Sequence, residues 1–75
     1  MDIAQLTGNN DFISAHNHLL NCGWEIVGFG ICSVSYKYKS DKLEIFGFGD
    51  ELLFKINNEE AKELTEDNLI RTILF

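Results

Sequence analysis

His16 and His18 stand two residues apart, and Cys22 and Cys32 are the two cysteines of a 75-residue chain. These four side chains are where metal or thiol chemistry would have to start. On a helix, residues two apart point in different directions, so an H-x-H pair cannot share one metal ion. No C-x-x-C or H-E-x-x-H pattern accompanies it, and the cysteines lack ligand spacing with the histidines. A cysteine beside a histidine could serve as a thiol nucleophile, but that chemistry also needs an orienting third group and an oxyanion site. The sequence offers neither. The reading is therefore no enzyme, no metal and no catalytic residue. Both cysteines are expected reduced and buried as small hydrophobes, His16 at the core edge and His18 in solvent.

Glycines supply a second candidate chemistry. WEIVGFG (24–30) and LEIFGFG (43–49) agree at five of seven positions, nineteen residues apart. Gly28-Phe29-Gly30 and Gly47-Phe48-Gly49 invite comparison with a nucleotide loop. Each lacks the third glycine of G-x-G-x-x-G, and each precedes a strand pattern, whereas a phosphate loop must open a helix. Turn chemistry is the better reading, and no cofactor is expected.

Two patterns remain. Glu59, Glu60, Glu63, Glu66 and Asp67 place five acids in nine residues against Lys62 alone. Such a run is either a solvated helix face or a mimic of phosphate spacing that enters a basic groove. Phe46, Phe48 and Leu53 alternate with the apolar residues of their strands. They therefore point to the outer sheet face, with Val27 and Ile31 nearby and Phe29 at a loop tip. Either the last helix or a second copy of the chain covers that face, or it binds a partner. These nine residues (Phe29, Phe46, Phe48, Leu53, Glu59, Glu60, Glu63, Glu66 and Asp67) form the expected partner interface.

The elements that must position them follow from periodicity. Phe12, Ala15, His16, Leu19 and Leu20 recur at helical spacing, capped by Asn10 or Asp11 and closed by Gly23, which predicts a helix over about 11–21. From Trp24 the period becomes two. A loop at 28–30 pairs Ile26 with Cys32 and Trp24 with Val34. A turn at 40–41 pairs Tyr38 with Leu43 and Tyr36 with Ile45. A turn at 49–50, with glycine first as type II′ requires, pairs Ile45 with Phe54 and Glu44 with Lys55. Trp24, Val34, Tyr36, Ile45 and Phe54 then share one buried face. A closing helix begins at Asn57 or Asn58, with Thr65 as a second cap. Leu69, Ile70, Ile73 and Leu74 form its last stripe, a terminal strand being the alternative. The fold class is α+β: an N-terminal helix, a four-stranded antiparallel meander sheet and a C-terminal helical segment (α-β-β-β-β-α).

Composition bounds the partners. One domain over 1–75 is expected, burying about 60–65% of its unfolded surface. The N-terminus MDIAQLTGNN lacks the basic start and apolar run of a signal peptide, and no apolar run approaches 18 residues, so the expectation is a cytoplasmic protein with no membrane partner. Twelve acids against six bases give a net charge of −6. That disfavours nucleic acid and favours a protein with a basic surface, such as a nucleic-acid-binding enzyme. In size and charge, though not in motifs, such a chain is similar to phage-encoded inhibitors of bacterial defence enzymes, the anti-CRISPR proteins among them. That resemblance implies a non-enzymatic inhibitor acting in the bacterial host cytoplasm. The alternatives are a homo-oligomeric structural or adaptor module joined through Phe46 and Phe48, including a homodimer, and an RNA-binding sheet using Lys37, Lys39, Lys42 and Lys55.

Overall fold

The computed structural model describes residues 2–73. A short helix α1 (Ile3–Thr7) comes first, which periodicity alone did not reveal. Its start is a capping box: the Gln5 N–H donates to Asp2 Oδ1 at 2.8 Å, and the Asp2 N–H donates to Gln5 Oε1 at 2.9 Å. Leu6, its one core residue, is fully buried.

Helix α2 (Asn10–Asn21) is the expected first helix, with its cap moved to Asn9. Asn9 Oδ1 accepts from the Asp11 and Phe12 amides, leaving Asp11 free to face solvent as a first-turn acid. At the other end the Gly23 N–H donates to Leu20 O and the Trp24 N–H to Leu19 O, while Gly23 holds φ +98°. This is a Schellman closure, and it turns the chain directly into the sheet.

Five antiparallel strands follow in sequence order: β1 (Glu25–Phe29), β2 (Ser33–Tyr38), β3 (Asp41–Phe48), β4 (Glu51–Ile56) and β5 (Lys62–Glu63). The β3–β4 register is the expected one, with Ile45 opposite Phe54, Glu44 opposite Lys55 and Gly49 at φ +64° in the turn. Asp50 lies outside the positive-φ region, as a type II′ turn requires.

Two other registers differ. The β2–β3 turn is Lys39-Ser40, not 40–41, so Tyr36 faces Leu43 and Val34 faces Ile45. The shift is two residues, which preserves every face. It also sets large buried side chains against one another, Val34 against Ile45 and Tyr36 against Leu43. In the first hairpin Ile26 pairs with Tyr36 and Phe29 with Val34, across a bulge at Val27. Phe29 therefore ends a strand rather than tipping a loop, and Ile26, on an edge strand, stays 40% exposed. In both repeats the phenylalanine makes the last pair of its strand and the second glycine enters the turn.

The segment from 57 to 65 corrects the expected closing helix. Asn57 turns the chain at φ 55°, and β5 then pairs with β4. Between Ile56 and Leu69 the one large apolar residue is Leu64, so a helix there would bury almost nothing. Instead the Leu64 N–H donates to Leu52 O and its side chain enters the core. Helix α3 (Glu66–Ile73) follows, its start capped where expected by Thr65, whose Oγ1 accepts from the Asn68 N–H at 3.1 Å. The alternative of a terminal strand is thereby overturned for these residues, and Leu74 lies outside the described residues.

Leu6, Phe12, Ala15, Leu19 and Leu69 from the helices pack with Val34, Tyr36, Leu43, Ile45 and Phe54 from the sheet in one cluster. Trp24 joins it, its ring tilted against Tyr38 at 5.5 Å between ring centres. All three helices thus lie on one sheet face. The other face carries Lys37, Lys42, Glu44, Phe46, Phe48, Leu53 and Lys55, and no described helix covers it.

Candidate binding surface

The acid-rich segment does not form one helix face. Glu59 and Glu60 sit on the exposed turn after β4. That turn is held beside Lys42, whose N–H donates to Asn57 Oδ1 at 3.1 Å. Glu63 is in β5, and Glu66 and Asp67 form the first turn of α3. The five acids are thus divided among a turn, a strand and a helix start.

In their place the fold gathers acids that are distant in sequence. An open cleft of about 460 Å³ runs between α2 and α3. Ala15, Leu64, Leu69 and Ile70 contribute apolar walls, and Asp11, His18, Asn21 and Glu66 contribute polar ones. A second cleft of about 190 Å³ lies beyond Asp11, among Asp50, Glu51, Leu52 and Glu63. Asp11 lines both. Carboxylates from α2, the β3–β4 turn, β5 and α3 therefore surround two adjoining hollows. Asp11 and Asp50 were missed as site residues because each reads locally as cap or turn chemistry, and Glu51 because it is a lone acid at the start of a strand. What unites them is the β3–β4 turn packing beside the start of α2, a long-range relationship.

The outer sheet face meets this acidic side directly. Phe48 stands opposite Glu51, and Leu53 opposite Glu63. Phe48 is 69% exposed, while Phe46 and Leu53, facing each other, are half-buried. Lys55 Nζ lies 6.0 Å from the centre of the Phe46 ring and 3.9 Å from Glu44 Oε1. An exposed pair of this kind contributes little stability. Lys37 and Lys42 are directly opposed, a like-charge pair. Phe29 lies at the other edge of the sheet, apart from the remaining expected interface residues.

The titratable candidates are also placed. His16 Nδ1 is 2.7 Å from the Tyr36 hydroxyl, and burial raises the pKa of that hydroxyl above the ordinary phenol range. His18 Nε2 approaches Cys22 Sγ at 3.7 Å. Both cysteines are unbridged, but Cys22 is exposed rather than buried, and Cys32 is half-buried. Cys22 caps α2 at its C-terminal end. Among the described residues no three His, Cys, Asp or Glu side chains converge as a metal site, and no helix is long and apolar enough to cross a membrane.

The architecture is an α+β layer, with helices on one face of an antiparallel meander. The chain matches no protein-family model, no curated protein and no solved structure.

Proposed function

We propose that this chain is a non-enzymatic, acidic protein-binding module that occupies a basic surface of another protein, a nucleic-acid-handling enzyme being the partner whose chemistry suits it best. One relationship carries the reading: the acidic clefts and the aromatic sheet face share a border at Phe48–Glu51 and Leu53–Glu63. Carboxylates at that border attract lysine and arginine over long range, and their effect on association weakens with salt. Phe46, Phe48 and Leu53 offer apolar anchors that charge alone lacks. The apolar walls of the larger cleft suit the aliphatic stem of a basic side chain, and Asp11 and Glu66 suit its charged head. An inhibitor of the phage anti-defence kind, acting in a bacterial cytoplasm, is the biological form of this reading.

The test is capture from a bacterial lysate with the parent chain and with an Asp11→Asn, Glu63→Gln, Glu66→Gln variant, read by mass spectrometry. The proposal expects basic nucleic-acid-binding proteins on the parent, lost from the variant and from the parent at high salt. Equal capture by both would remove the carboxylates from the account and leave the adaptor reading through Phe46 and Phe48.

A further inference from the structure

The edge of the sheet farthest from β5 has a different character. Strand β1 is paired on one side only, by β2, so its other side presents free backbone N–H and C=O groups. Ile26, Val27 and Phe29, with Ile31 in the following loop, are 40%, 56%, 67% and 94% exposed. These are four of the seven large apolar side chains that the described residues leave exposed, which concentrates exposed apolar surface on one edge. The usual guards of such an edge, lysine and proline, are missing from 25–31. Its one charge, Glu25, already stands opposite Lys37 of its own chain.

We propose that β1 pairs with β1 of a second copy of this chain, antiparallel about a two-fold axis, joining two sheets into one of ten strands. Centred between Val27 and Gly28, this register sets Ile26 against Phe29, which share a sheet face, and Glu25 against Gly30. No carboxylate then faces a carboxylate. The strand order supplies the electrostatic argument for a second copy. With a net charge of −6, two chains repel, and β1 is the edge most distant from Glu63 of β5 and its neighbouring acids. A strongly charged partner finds little at β1 to complement, whereas an uncharged, apolar strand does. The pairing also closes. Antiparallel pairing uses each β1 edge once, and the outer β5 edges are two residues long and bear Lys62 and Glu63, so no fibre propagates. The bulge at Val27 shortens the regular edge. The four apolar side chains expose on the order of 500 Å² per chain. A dimer burying at most about twice that belongs with weak, reversible interfaces.

Sedimentation velocity over about 10 μM to 1 mM, the range for weak association, tests this. The parent's weight-average mass is expected to rise from 8.6 kDa toward twice that value. Val27→Lys and, separately, Phe29→Lys should hold it at the monomer value with melting curves unchanged. Phe48→Lys, on the uncovered face, should still dimerise. Amide exchange at Phe29 should slow with concentration in the parent. A parent that stays monomeric throughout would overturn the proposal. So would a dimer that survives both β1 variants or is lost in Phe48→Lys.

Discussion

His16 Nδ1 and the Tyr36 hydroxyl, twenty residues apart in sequence, meet at 2.7 Å and tie the middle of α2 to the centre of the sheet. The Tyr36 ring is fully buried and burial favours its protonated hydroxyl, which leaves a hydrogen to share with His16 Nδ1. Phe12 stacks on the same imidazole, with ring centres 5.4 Å apart. Removing the hydroxyl should cost about 0.5–1.5 kcal/mol at neutral pH, the usual worth of such a bond. Urea unfolding of Tyr36→Phe measures it.

The same group sets an alkaline limit. Burial raises the folded-state pKa of Tyr36 above its unfolded value. Below about pH 10 both states keep the proton and the stability is fully present. Above that, the unfolded chain releases its proton first, so stability falls as pH rises toward the folded-state value. Urea midpoints between pH 8 and 11, with points about half a unit apart, should fall more steeply for the parent than for Tyr36→Phe. Parallel curves would show that another group governs the alkaline limit.

Phe54 is fully buried opposite Ile45 at the centre of the sheet. Phe54→Ala should cost about 3–5 kcal/mol, a large share of what a domain of this size possesses. A melting temperature within a degree or two of the parent would contradict this packing.

Gly23 and Gly49 both hold positive φ, yet they should not respond alike to alanine. At Gly49 an added Cβ meets nothing within 4 Å, so the cost is conformational alone, about 1–2 kcal/mol. At Gly23 the Cβ would also lie 3.1 Å from Cε1 of Tyr38, whose ring packs against Trp24. Gly23→Ala should therefore be the more destabilising of the two in denaturant melts.

Cys22 is exposed and Cys32 half-buried, with no bond between them. An aromatic-disulfide thiol reagent should modify Cys22 first, and Cys32 at the same rate only after unfolding. Intact mass should not change on reduction.

How much of this was legible in the sequence depended on the range of the cause. The β3–β4 hairpin was legible because Gly49-Asp50 fixes the turn and the alternation on both sides agrees with it. The buried face was legible for the same reason, and it survived a wrong β2–β3 turn because a two-residue shift leaves faces unchanged. Helix α1 was hidden by its length, since five residues show little periodicity, although Asp2 and Gln5 were its readable signature. The segment 57–65 misled because glutamates after asparagines resemble a helix start. What decides it is the open side of β4, to which Leu64 is tethered through Leu52. The acidic clefts were the least legible feature, since Asp11, Glu51 and Glu63 come together only once the sheet has folded against α2.

Association kinetics with the captured partner, at low and high salt, test the acidic border most directly. The comparison is the parent against Glu63→Lys with Glu66→Lys and, separately, Phe48→Ala. The account predicts that charge reversal lowers the on-rate and flattens its salt dependence, while Phe48→Ala chiefly raises the off-rate. An on-rate in the charge-reversed protein equal to the parent's at every salt concentration would contradict it.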